Sequence, residues 1–150
     1  MRAFCVVAVF GFLLACQNGN TSPSVQPDQL QTVRAEFQRE FTVRVGGTAE
    51  LASPRARVSL IAVTADSRCA VDVQCVWEGD AALVFELVVP GVGVARDTLH
   101  TSPRGELQSK NMTLGKVRIS LRNLAPEPRS DRPIRAEDYL ATLIAEVVSE

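Results

Sequence analysis

Two cysteines, the single tryptophan and four carboxylates crowd the stretch Asp66-Ser67-Arg68-Cys69-Ala70-Val71-Asp72-Val73-Gln74-Cys75-Val76-Trp77-Glu78-Gly79-Asp80-Ala81. Several chemistries could be built from such residues. Asp66, Asp72, Glu78 and Asp80 supply the hard oxygens that calcium takes from loops, although their spacing is not that of an EF-hand. A thiolate–imidazole copper or zinc site would need Cys69, Cys75 and His100, the only histidine, and would need both thiols free. A redox-active pair normally reads C-x-x-C, and here the spacing is C-x5-C. Hydrolysis by a serine nucleophile needs a base and an orienting acid. His100 is the one imidazole, and no Gly-x-Ser-x-Gly elbow occurs. A glycosidase needs two carboxylates across a cleft, and no motif selects such a pair. The chain is therefore expected to be non-enzymatic and to use no cofactor. With 16 Lys+Arg against 17 Asp+Glu it has no positive excess with which to neutralise phosphates, so no nucleic-acid partner is expected.

The compartment decides what the cysteines do. Arg2 precedes an uncharged apolar run, Ala3 to Ala15, too short to span a bilayer and suited to a signal-peptide core. The run ends in Leu13-Leu14-Ala15-Cys16 and turns polar at Gln17-Asn18-Gly19-Asn20. This resembles the lipobox of bacterial lipoproteins, with Leu14 bulkier than the usual residue. The resemblance implies removal of residues 1–15 and acylation of Cys16. More than one acyl chain gives firm anchoring, because each buried methylene adds about 0.8 kcal/mol. Gln17 is not the Asp of inner-membrane retention, so in a host with two membranes the resemblance implies the outer one. Cys5 leaves with the signal and Cys16 carries lipid. Cys69 and Cys75 remain as one pair, and in an exported protein they are expected to form a disulfide. Closing so short a loop stabilises by roughly 2 kcal/mol.

The same stretch resembles a second group, small bacterial secreted proteins and lipoproteins of unknown function. Their hallmark reads D-S-R-C-P, a few residues, then C-V-W-A-G. Asp66-Ser67-Arg68-Cys69 and Cys75-Val76-Trp77 with Gly79 match it, while Ala70 stands for Pro and Glu78 for Ala. The likeness runs from about Phe41 to Tyr139-Leu140-Ala141-Thr142-Leu143. It implies a small β domain with a disulfide-bearing loop and implies no activity. Asp66, Arg68, Trp77 and Gly79 are its structural residues. Trp77, two residues beyond Cys75, is expected to pack on the disulfide and cap the core. Arg68 is expected to bridge to loop carboxylates or cap loop carbonyls.

These residues must be held by short strands. Residues 16–37 read as a flexible tether, of roughly 25 Å for about twenty residues, in which Leu30, Val33 and Phe37 would also fit a helical turn or two. From Glu40 the apolar period is two. Glu40 to Val45 alternates, Gly46-Gly47 reads as a two-residue hairpin turn, and Thr48 to Leu51 is the return strand. Arg57 to Ala65, Ala81 to Val89, Val94 to His100 and Lys116 to Arg122 are further strands, with Val117, Ile119 and Leu121 facing the core. Tyr139 to Val148 fits a helix or a closing strand, and the context favours the strand. Ala125 to Glu137, with three prolines, is expected to be a surface connection. The whole predicts an all-β antiparallel sandwich, immunoglobulin-like or similar, of about seven strands over residues 38–150, with one disulfide-bearing loop.

The expected function follows. The chain is a membrane-anchored envelope lipoprotein whose β-domain binds or braces an unknown envelope protein or cell-wall ligand. The alternatives are a protease-inhibitor-like module presenting the braced loop and a calcium-binding loop domain. An inhibitor requires residues 70–74 to be exposed and extended. A structural plug requires Trp77 and the disulfide to be buried.

Overall fold

The computed structural model describes residues 31–149. The expected signal peptide, Cys16 and most of the expected tether lie outside the described residues. Nine strands form two sheets. They are β1 (Thr32–Ala35), β2 (Glu40–Arg44), β3 (Thr48–Ala52), β4 (Arg55–Asp66), β5 (Ala81–Val89), β6 (Gly93–His100), β7 (Asn111–Leu114), β8 (Val117–Ala125) and β9 (Leu140–Val147), with a short 3-10 turn at Ala136–Asp138. The five-stranded sheet has the order β1-β3-β4-β5-β6 and the four-stranded sheet the order β2-β9-β8-β7. Each is an antiparallel meander with one early strand added at its edge. β1 lies parallel to β3 and β2 antiparallel to β9.

Alternation builds the core. β5 is buried at every second residue, so Ala81, Leu83, Phe85, Leu87 and Val89 face inward. Opposite them stand Val117, Ile119 and Leu121 of β8 and Ala141, Leu143 and Ala145 of β9. Phe85 is the largest fully enclosed side chain, and aliphatic residues fill nearly all the rest. Leu140–Val147 is the closing strand, and its period-two burial leaves no helical face.

Three expectations are corrected. The sheet begins at Thr32, not 38, and residues 32–35 are a strand and neither tether nor helix. Their brevity hides an edge strand whose inward residues are Val33, half-buried, and the small Ala35. Phe37 also packs on the core. A turn forms one residue earlier than expected, centred on Val45-Gly46, with Gly46 at φ +78° and Gly47 N–H donating to Arg44 O at 2.8 Å, but it closes no hairpin. β2 and β3 enter opposite sheets, because alternation fixes which side of a strand is apolar and not which sheet it joins.

The sheets are irregular at one end. β4 is bulged between Leu60 and Ala62 and between Val63 and Ala65, and β8 between Leu121 and Asn123. Bulges bend strands and re-aim side chains. Here they precede Asp66 on one sheet and Leu124–Ala125 on the other, the two supports of the cysteine loop.

Candidate functional site

The loop between β4 and β5 begins on a partly buried lock. The Asp66 carboxylate accepts hydrogen bonds from Arg68 Nε at 2.9 Å and Nη2 at 2.7 Å, from the Arg68 backbone N–H at 3.1 Å and from Tyr139 Oη at 3.0 Å. The guanidinium also donates to Leu124 O and to Pro126 O, across the gap between the sheets. Arg68 thus pairs within the loop and caps carbonyls, as its carboxylate neighbours suggested. Burial pushes the Asp66 carboxyl up, but the Arg68 side-chain and backbone hydrogen bonds, its charge and the Tyr139 hydroxyl prevail, and the pKa is lowered. Burial and the Asp66 bond raise Tyr139.

The stem is then zipped. Ser67 N–H donates to Asp80 O at 2.7 Å and Cys69 N–H to Glu78 O at 2.8 Å. Gly79 lies buried against this rung with φ +71°, and a Cβ there would sit 1.8 Å from Ser67 O. Only glycine meets both demands. Cys69 and Cys75 are joined by a disulfide, with Cα atoms 5.9 Å apart. Below the stem, Asp80 accepts from His100 Nδ1 at 2.5 Å, Thr101 Oγ1 at 3.0 Å and Ser102 N–H at 2.8 Å. Burial opposes the charge on Asp80, yet these bonds lower its pKa. Ser102 Oγ donates to Glu78.

Beyond the disulfide the loop turns. Val73 N–H donates to Ala70 O at 3.2 Å and Val71 N–H to Pro128 O at 3.0 Å. Asp72 accepts from Ser130 N–H at 2.9 Å and Ser130 Oγ at 2.6 Å, which lower its pKa. The connection at 125–137 therefore braces the loop from beside.

The tip faces solvent. Val71, Val73, Val76 and Trp77 are all exposed, Val76 at 96% and Trp77 at 69%. This overturns the expected cap: Trp77 neither enters the core nor is buried on the disulfide. Its indole instead lies under the Arg104 guanidinium, 6.0 Å from the ring centroid. Leu107, on the same β6–β7 connection as Arg104, is fully exposed.

The four carboxylates weighed for calcium do not converge. Asp66 faces Arg68, Asp72 faces Ser130, Glu78 faces Ser102 and Asp80 faces His100. Among the described residues no three His, Cys, Asp or Glu side chains gather as a metal-ion site. The calcium reading has no geometry behind it, and the thiolate–imidazole reading loses both thiols to the disulfide. Sequence reasoning missed Tyr139, His100 and Ser130 as supports of the loop, since nothing local links them to residues that lie far off in the chain. No protein family, curated protein or solved structure matches this chain.

Proposed function

We propose that this chain is an exported lipoprotein, anchored through Cys16, whose non-catalytic β-sandwich recognises an envelope protein with the apolar tip of the braced loop. The observation that carries the reading is the exposure of Val71, Val73, Val76 and Trp77 on a loop fixed by a disulfide and a partly buried ion pair. A solvated domain gains little for its own stability from such side chains, whereas a partner that covers them gains apolar area. Rigid presentation lowers the entropy lost on association. Tryptophan is enriched where interface energy concentrates. Three valines beside it favour a protein surface over a sugar chain.

The protease-inhibitor reading has half of what it needs. Residues 71–74 are exposed. Their backbone, however, is turned through Val73 N–H to Ala70 O and tied to Pro128, whereas a substrate-like segment is extended with its backbone groups free.

The test is capture from envelope extract by the intact chain and by a Val76→Ser/Trp77→Ser variant. A protein retained by the first and lost by the second supports the reading, and an unchanged set contradicts it. Anchoring is tested separately. Labelled palmitate enters the native chain and not Cys16→Ser, and label in the mutant contradicts the lipid anchor.

A further inference from the structure

At the opposite end of the five-stranded sheet lies a groove of about 620 Å³, across the ends of β1, β3 and β4 beside Pro90. Its rim carries Arg34, Arg55 and Arg57, all exposed, against one carboxylate, Glu50. The strand register fixes their arrangement. Arg34 pairs with Glu50 and Glu50 with Arg57, so the three stand in one lateral row on the outer face. At about 4.8 Å per strand, Arg34 and Arg57 are rooted roughly 10 Å apart, and Arg55 is rooted about 7 Å along β4 from Arg57. None of the three arginines, nor Glu50, has a side-chain hydrogen bond or ion pair among the described residues. Arg68, Arg96, Arg129 and Arg135 all have carboxylate partners.

We infer that this groove is a binding site for a small organic polyanion carrying at least two separated phosphate or carboxylate groups. Three arginines against one carboxylate leave the rim net positive, and a multiply charged anion is drawn to it. Guanidinium forks match phosphate and carboxylate oxygens in pairs. Two arginines rooted roughly 10 Å apart with a third to one side suit two anionic groups better than one. The volume lies in the range of small-ligand pockets, and at roughly 30 Å³ per atom it admits about twenty non-hydrogen atoms. Ala52 and Pro90 add a small apolar wall. The chain's overall charge of −1 argues for a short ligand held locally over a long polyanion.

The experiment is calorimetric titration of the intact protein with fructose 1,6-bisphosphate, citrate and inorganic phosphate. Saturable binding of the bisphosphate or of citrate, at least tenfold tighter than inorganic phosphate, is expected, and the stronger of the two identifies the anionic group. Arg34→Gln and Arg57→Gln should each weaken it about tenfold, and Glu50→Gln should tighten it several-fold. Variants that melt like the native chain keep these comparisons free of folding effects. Absence of binding at millimolar ligand overturns the inference. So does equal binding of inorganic phosphate, or affinity indifferent to all three substitutions.

Discussion

Within the single connection from β4 to β5, the stem and the tip are built by opposite rules. In the stem every polar group is answered: Asp66 by Arg68 and Tyr139, Asp80 by His100, Thr101 and Ser102, Ser67 and Cys69 by backbone carbonyls. At the tip apolar side chains face water, and no core residue covers Val76 or Trp77. The stem's arrangement is explained by stability alone. The tip's arrangement is not, and that is why the tip is read as the working surface. The motif Asp66-Ser67-Arg68-Cys69 to Gly79 thus divides into residues that hold and residues that are shown.

The comparison is broken most severely at Gly79. Gly79→Ala places a Cβ 1.8 Å from Ser67 O at a positive φ, so the stem must open. A loss of at least about 3 kcal/mol is expected in denaturant unfolding. Alanine accepted without loss would mean that the stem is not tight.

Arg68→Met comes next. It leaves the partly buried Asp66 without its cation and should cost about 2–3 kcal/mol at neutral pH. The pH profile sharpens the point. Asp66 has a lowered pKa, so it stabilises the fold above the ordinary carboxylate value of about 3.9 and that contribution is lost as pH falls through the folded-state value. Tyr139 has a raised pKa, so its contribution holds below about 10 and is lost as pH rises through the folded-state value. Melting should be level between these limits and fall on both sides, and Asp66→Asn should flatten the acid limb.

Removing the disulfide is milder. Cys69→Ala with Cys75→Ala should cost roughly 2 kcal/mol, because the Asp66–Arg68 lock and the Ser67 and Cys69 rungs remain. A much larger loss would make the bridge, and not the lock, the principal support.

Much of the fold was legible. β5 and β9 alternate so regularly that burial follows directly from the residue order, whereas β8 also buries Ser120 and breaks step at its bulge. β1 was not, because four residues with only Val33 and the small Ala35 turned inward are too short a pattern to stand out from a polar linker. Nor was the sheet that β2 joins, since its partner β9 lies a whole domain away in sequence. At the site, the cysteine pair could be reached by accounting for every thiol. The direction of Trp77 could not. Spacing of two sets Cys75 and Trp77 on a common side in extended chain, but it does not say whether that side meets the core or water. Tyr139 and His100 complete the stem through tertiary contacts that no local pattern announces.

The most direct measurement combines unfolding and partner binding on Val76→Ser/Trp77→Ser. If the tip is a recognition surface, stability changes by no more than about 0.5 kcal/mol, while affinity for the captured envelope protein falls by about 30-fold or more. Destabilisation by several kcal/mol with binding intact would instead make Trp77 a structural residue and contradict the account.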